Sequence, residues 1–459
     1  MCESKKKWAF GSLMAAAMLA TPAMASEADL RAEVEQLRAE MAELRAEQGE
    51  TWLNERRAEE VKGLIRDVLA DADTRATLLQ DGVLAGHDGK FFLASADGNF
   101  RLNFTGQFQF RYILNINGSD ASNSDGSDAS GNVTNSGAGF QLRRMKLGFQ
   151  GHAIKPELTY KFVVVTNRSS GNASLQDDVW VAYDMDEFLD GLKVKIGNQK
   201  IPFLKQELIS SSRQTAVDRA SVTEYFTLNR QLGVNLEYKT DAWMVNVQTG
   251  NGANTGISDF NDAGGDYNIA VRGDFNVFQT NWKNGRDNVA WDGQDTSLFL
   301  GIAGFYQDGS RTGDSFPLGD EYLAFTADAL FKTGPFSILT TFTKGILHSE
   351  SQDDETPWGV LAEAGYMVIP DTFQPYLRYE AFDLPSGGVA TNHLVTGGFN
   401  WFFKKHNLKF TADAVWVVHG EDDNSLDEFG SNPYSDSLGF NGLSGDGQVV
   451  LRTQLQLVY

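Results

Sequence analysis

The stretch from residue 100 to 114, FRLNFTGQFQFRYIL, alternates between large apolar and polar side chains. One side carries Phe, Leu and Tyr, and the other carries Arg, Asn, Thr and Gln. Alternation with a period of two indicates a β-strand. So large an aromatic face is typical of a strand that meets lipid on one side and water on the other. A strand of this kind needs roughly 9 to 11 residues to span a bilayer, and this stretch is long enough. The alternative is the amphipathic edge of a large soluble β-sandwich.

Further runs of this kind follow along the chain, and together they number sixteen. An even number of strands is typical of a closed antiparallel barrel, so the predicted fold is all-β, a transmembrane antiparallel β-barrel of about 16 strands over residues 97–459. The runs are 100–114, 143–151, 158–166, 179–183, 192–196, 232–238, 243–247, 267–275, 298–306, 322–331, 336–344, 360–368, 373–382, 393–402, 408–418 and 449–459.

The breaks between the runs are alternately short and long. Short breaks such as 332–335 and 404–407 fit periplasmic turns, and long acidic breaks such as 115–139 and 420–446 fit external loops. Residues 277–296 depart from this order, because they form a long break where a short turn is due.

The composition agrees with a barrel: 31 Phe and 46 Gly against 10 Pro fit many strands with glycine-rich connections. The formal net charge of −22 argues against a nucleic-acid partner, because a phosphate backbone needs a basic face. The six histidines form no HExxH or HxH motif and accompany no G-x-S-x-G elbow, so we expect neither an enzyme nor a cofactor. Acidic loops near 120–128 and 421–428 offer oxygens to calcium, but they lack the EF-hand spacing; solvated loops without a metal are the preferred interpretation.

The N-terminus has the three parts of a secretory signal peptide, which we assign to residues 1–25. Three lysines at 5–7 precede an apolar run at 8–20, and Ala23-Met24-Ala25 form the cleavage site. Cleavage there would remove Cys2, the single cysteine, so the exported protein is expected to have no disulfide.

Residues 26–70 have a helical pattern. Leu30, Val34, Leu37, Met41 and Leu44 are spaced four and three residues apart in turn, which indicates a short coiled coil. We expect this segment to self-associate in the periplasm; the alternative is a solitary amphipathic helix lying on the barrel. Residues 71–96, which contain several glycines, are predicted to be a linker.

The longest connection without alternation, residues 197–230, contains the candidate constriction residues, and neighbouring strands contain the candidate pore-wall residues. In a wide water-filled barrel, a loop that folds inward is the physical means of narrowing the lumen, and cations placed there attract anions. The alternative is that these cations pair with nearby acids or face lipid headgroups. The predicted constriction and anion-binding residues are Lys200, Lys205, Arg213, Arg219 and Arg230, and the predicted pore-wall residues are Arg111, Arg144, Lys146, Lys161, Lys193, Lys195 and Arg272.

The same connection resembles the phosphate-selective porin O and P family, in the stretch IGNQKIPF at 196–203, the serines at 210–212 and the sequence RQLG at 230–233. Supporting stretches lie at 141–148, 376–379 and 397–402, and residues 451–459 resemble an outer-membrane insertion signal. The resemblance covers about residues 97–459. It implies a sixteen-stranded homotrimeric barrel in the outer membrane that passes small anions, phosphate among them. A general porin with little charge preference, and a barrel that anchors the coiled coil as a tether to another envelope layer, are the alternative functions.

Overall fold

A computed structural model describes residues 31–32, 34–41, 83–116, 136–166, 173–175, 177–258, 267–308, 321–349, 353–383, 391–419, 438–440 and 447–459. The chain divides into two compact units, residues 1–80 and 81–459. In the first unit, residues 31–32 and 34–41 are helical, and Val34 and Leu37 on the predicted seam are exposed. The signal peptide and the rest of residues 26–70 lie outside the described residues, so the coiled coil stays a prediction.

The second unit is built from antiparallel strands. Sixteen of them, β3 to β5 and β7 to β19, pair in chain order, and the last, β19, pairs with the first, β3, which closes the barrel. The predicted number of strands is therefore confirmed. The strands are β1 (Val83–His87), β2 (Phe91–Ser95), β3 (Arg101–Ile116), β4 (Ser136–Ala153), β5 (Lys155–Thr166), β6 (Ala173–Ser174), β7 (Val179–Asp184), β8 (Leu192–Lys200), β9 (Arg230–Lys239), β10 (Trp243–Gly250), β11 (Tyr267–Asn276), β12 (Ser297–Asp308), β13 (Glu321–Thr333), β14 (Phe336–His348), β15 (Trp358–Tyr366), β16 (Phe373–Asp383), β17 (Asn392–Lys404), β18 (Leu408–His419) and β19 (Val449–Val458).

The barrel wall is apolar outside and polar inside. On β16, the side chains of Leu377 and Tyr379 are 58% and 42% exposed, whereas Arg378 and Glu380 between them are 1% exposed. This arrangement is the reverse of that in a soluble protein and is typical of strands whose outer face meets lipid. Among the described residues, no helix is long and apolar enough to cross a membrane.

Residues 83–95, predicted to be part of a linker, instead form a hairpin of β1 and β2. Strand β2 pairs with β3 from Arg101 to Phe104, whereas β19 pairs with the same edge of β3 only from Gln107 onward. The hairpin thus takes the backbone partners that β19 leaves unused, which explains why these residues are ordered as strands.

Two long connections contain short helices. Residues 201–229, which we call the inward loop, include α1 (Lys205–Leu208) and α2 (Ser221–Phe226). Residues 277–296, the break that departs from the expected order, include a 3-10 helix (Trp282–Arg286). Because the strands alternate in direction, the inward loop begins at the same end of the barrel as the other long connections. We take this end as external. Residues 277–296 connect β11 to β12 at the opposite, periplasmic end.

Introducing arginine at Phe108, on the outer face near the middle of β3, is expected to destabilise the barrel by about 2 to 4 kcal/mol, the usual cost of a charge at the bilayer midplane. Phe108 is 37% exposed and lies between Met145 and Leu457 on the neighbouring strands. Phe100→Arg, beyond the end of the strand, is the matched control and should cost about 1 kcal/mol or less. Urea unfolding in lipid vesicles measures both; equal costs would contradict the assigned face and depth.

Candidate permeation site inside the barrel

An apolar cluster joins the inward loop to the inner face of the wall. Phe203, Val222 and Phe226 of the loop are fully buried and pack in one cluster with Phe305 and Phe382 of the wall. Burying side chains of this size contributes about 1.5 to 3 kcal/mol each. The apolar positions on the inner face of β12 and β16 therefore give the loop a surface to pack on.

Polar side chains of the wall bind the backbone of the same loop. Each donates a hydrogen bond to a carbonyl oxygen that the irregular backbone leaves without a partner. These bonds fix the course of the loop along strands β11 and β16 to β19. They run from Arg272 to Phe203 (2.6 Å), Gln456 to Ser212 (2.9 Å), Lys409 to Gln214 (2.7 Å), Asn400 to Thr215 (2.8 Å) and Arg378 to Asp218 (2.8 Å).

Asp218 in the inward loop is the centre of a buried ion-pair cluster. Its carboxylate lies 3.0 Å from Arg111, 2.5 Å from Arg143 and 3.1 Å from Arg144. Burial alone would raise the pKa of the Asp218 carboxyl, but the charges of Arg143, Arg144 and Arg111 outweigh it and hold the pKa well below its usual range. One carboxylate thus attaches the loop to both β3 and β4.

A second ion-pair cluster holds the beginning of the loop. Arg272 contacts Asp274 at 2.7 Å and Asp328 at 2.8 Å, and Lys205 of α1 contacts Asp274 at 3.2 Å. Since Arg272 also donates to the carbonyl of Phe203, its guanidinium is fully used in holding the loop to β11 and β13.

A cavity of about 770 Å³ remains between the inward loop and strands β3 to β11. Eleven lysines and arginines line it, against four carboxylates, although the whole chain has a formal net charge of −22. The lining carboxylates are those of Asp177, Asp178, Glu237 and Asp274. The cations are Lys90, Arg144, Lys146, Lys161, Lys195, Lys200, Lys205, Arg213, Arg219, Arg230 and Arg286.

Six of these cations are paired with a carboxylate. Lys146 contacts Asp177, Lys161 contacts Asp178, and Arg230 contacts both aspartates. Arg144 and Lys205 belong to the clusters above, and Arg219 lies 3.6 Å from Glu224. The other five cations form no ion pair with any described residue, although Lys200 donates a hydrogen bond to the carbonyl of Glu207. Among the described residues, no carboxylate therefore neutralises their charge. These five cations are Lys90, Lys195, Lys200, Arg213 and Arg286.

The predicted site residues are divided between the cavity and the clusters. The five predicted constriction residues all line the cavity, as do Arg144, Lys146, Lys161 and Lys195 of the predicted wall set. Arg111 and Arg272 lie instead in the buried clusters, because the inward loop covers their part of the wall. Lys193 pairs with Asp184 at 2.8 Å, outside the cavity.

Sequence reasoning missed two of the five unpaired cations, Lys90 and Arg286. Lys90 lies in the turn of the unpredicted hairpin, and Arg286 lies in the unusual break 277–296. The length of that break was the available signal. Among the described residues, no group of three or more His, Cys, Asp or Glu side chains is placed to hold a metal ion.

The model of the family described as phosphate-selective porin O and P matches residues 110–284. The resemblance seen in the sequence is confirmed over these residues. They include the inward loop and most of the side chains that line the cavity. The family match and the closed barrel together support an outer-membrane channel rather than an enzyme.

This chain is also similar to one sequence relative and to solved porin structures, and the solved structures support the barrel fold. An "Uncharacterized protein" of Aquifex aeolicus is 24% identical over 307 residues, which cover 61% of this chain and 72% of that protein. The anion-selective porin from Comamonas acidovorans matches with a TM-score of 0.50 and 11% identity, over 78% of this chain and 99% of its own. OprB of Pseudomonas putida, in its high-pH structure, matches with a TM-score of 0.50 and 12% identity, over 84% and 96% of the two chains.

Proposed function

We propose that the protein is an outer-membrane porin through which small anionic solutes, phosphate-like ions among them, diffuse passively. The observation that supports this most directly is the group of five unpaired cations in a cavity that the inward loop narrows. A cluster of like charges in a confined aqueous passage raises the local concentration of counter-ions. The negative charge of the whole chain does not oppose this, because the lining of the cavity has the opposite sign.

The size of the cavity fits passage rather than tight binding. Its volume of about 770 Å³ is many times the ~30 Å³ that one water molecule occupies in the liquid, so a small anion can keep part of its hydration shell. The acids Asp177 and Asp178 interrupt the row of cations, which keeps the attraction weak enough for release. A barrel of this fold in Comamonas acidovorans is described as anion-selective, so the architecture is compatible with such a filter.

We also infer that the protein is a homotrimer whose residues 26–70 form a periplasmic stalk. Outer-membrane lipid surrounds the apolar outer face of the barrel. The family resemblance supports the trimer. The helix at residues 34–41 supports the stalk, because the exposed side chains of Val34 and Leu37 are available to pack against a second helix.

The reversal potential in a planar bilayer under a KCl gradient tests the proposed selectivity. We expect the wild-type protein to prefer chloride over potassium and to show a lower chloride conductance when phosphate is added to one side. Changing Lys195 and Arg213 together to Glu should shift the preference toward cations by about fivefold, since each change reverses an unpaired charge in the passage. Lys193→Glu, on the same strand but paired with Asp184 outside the cavity, is the matched control and should leave the preference unchanged.

Three other results would contradict the proposal in different ways. If the wild-type protein prefers cations, it is still a porin, but small anions are not its solutes. An equal effect of the control and of the double change would show that the cavity is not the filter. No conductance at all would favour the barrel as an anchor for a coiled-coil tether.

A further inference from the structure

Residues 277–296, which we call the periplasmic segment, pack against the inside of the barrel. The indole of Trp282 donates to the carbonyl of Thr240 at 2.8 Å and its ring contacts Phe299 of β12. Lys332 of β13 donates to the carbonyl of Val289 at 3.1 Å. Val289 and Ala290 are 0% and 1% exposed. A surface turn would not bury such residues, so the segment enters the lumen from the end opposite to the inward loop.

The carboxylate of Asp287 fixes this segment. It accepts hydrogen bonds from the backbone N–H of Val289 and the indole of Trp291, both at 2.9 Å, and lies 2.9 Å from Nε2 of His406. The ring of Trp291 stacks edge-on against His406 and Phe402 at the turn between β17 and β18. Buried and fully bonded, Asp287 leaves the backbone beside it little freedom.

The residue directly before this fixed point is Arg286. Its side chain is exposed, lines the cavity and forms no ion pair with a described residue. Lys283, one helical turn earlier in the same 3-10 helix, is also exposed but does not line the cavity. The segment therefore directs one of its two cations into the passage, and Asp287 fixes the backbone next to the residue that carries it.

We propose that the periplasmic segment is a second constriction, and that Arg286 is a specificity-determining residue that an anion meets at the periplasmic end of the cavity. This inference rests on the proposed function. The inward loop supplies Arg213 from the external side, and the periplasmic segment supplies Arg286 from the other side. The charge filter is thus built from two separate parts of the chain.

The test compares single-channel currents of wild type, Arg286→Glu, Arg286→Lys and Lys283→Glu under a KCl gradient. We expect Arg286→Glu to lower the chloride-to-potassium permeability ratio about two- to threefold, because the change reverses one charge at the cavity wall and salt screens part of its field. The effect should differ between the two voltage polarities, because the charge lies near one end. Arg286→Lys should restore the wild-type ratio, and Lys283→Glu should not change it.

The outcomes separate this inference from the proposed function. An anion-selective wild type whose ratio is changed equally by Arg286→Glu and Lys283→Glu, or by neither, would overturn the role of Arg286 and leave the anion channel standing. A cation-selective wild type would overturn the proposed function and this inference with it. Asp287→Asn is a second variant that keeps the positive charge of Arg286. We expect Asp287→Asn to increase the noise of the open-channel current, because the segment that carries Arg286 becomes more mobile. Noise equal to that of wild type would contradict the role of Asp287 in fixing the segment.

Discussion

Replacing Asp218 with asparagine is expected to lower the free energy of unfolding by about 3 to 5 kcal/mol, the usual cost of removing one partner from a buried ion pair. The change would leave Arg111, Arg143 and Arg144 without the carboxylate that they share, and their side chains are at most 9% exposed. Because Asp218 also attaches the inward loop to β3 and β4, we expect the loop to lose its place. Urea unfolding in lipid vesicles and single-channel conductance measure the two effects, and conductance should rise as the lumen widens.

Glu224→Gln is the matched control in the same loop. Glu224 lies 3.6 Å from Arg219 and is partly exposed, so its loss should cost about 1 kcal/mol or less. The stabilisation by Asp218 is present above the pKa of an unfolded Asp, about 3.9, and is lost only as the pH falls toward the depressed folded pKa. We therefore expect the difference between wild type and Asp218→Asn to be constant between pH 5 and 8. An unchanged stability and conductance of the variant would show that the apolar cluster alone holds the loop.

The strands could be predicted from the sequence because each carries its own signal. A wall between lipid and water imposes a period of two on every strand, and this holds locally whatever the neighbours are. On β16 the alternation of Leu377, Arg378, Tyr379 and Glu380 is visible in the sequence and is reproduced as alternating exposure in the structure. Strand β6, only two residues long, has no such signal and was not predicted.

The inner face of a strand could be predicted, but what covers it could not. Arg111 and Arg144 both lie on the polar side of predicted strands, yet Arg111 is 1% exposed behind the inward loop while Arg144 also borders the cavity. The difference depends on where Asp218 docks, which is a contact across about a hundred residues of sequence. The hairpin that carries Lys90 is non-local in the same way, because β2 is ordered by the edge of β3 that β19 leaves open.

Asp177 and Asp178 determine how much of the positive charge in the cavity remains uncompensated. They pair with Lys146, Lys161 and Arg230, so that three of the lining cations contribute little to the field. Replacing both aspartates with asparagine should release these charges to the passage. We expect the chloride-to-potassium permeability ratio to rise about fivefold, since two compensating charges are removed beside the ion path. The reversal potential under a KCl gradient measures this ratio.

Acidification should not reproduce that effect. Burial alone would raise the pKa of Asp177, but the charges of Lys146 and Arg230 outweigh it and hold the pKa at about 2. Arg230 and Lys161 hold the pKa of Asp178 lower still. Both carboxylates thus stay ionised at pH 4, where exposed loop acids titrate in wild type and variant alike. The difference in permeability ratio between the two proteins should therefore be the same at pH 4 and pH 7.

Asp184→Asn is the matched control for this double change. Asp184 lies on β7, close in sequence to the pair, but it binds Lys193 outside the cavity, so its loss should leave the permeability ratio unchanged. A ratio in the double variant equal to that of wild type would mean that Lys146, Lys161 and Arg230 do not face the ion path. A difference that disappears at pH 4 would mean that the two aspartates titrate like exposed carboxyls, and hence that their pairing with these cations is weaker than the geometry indicates.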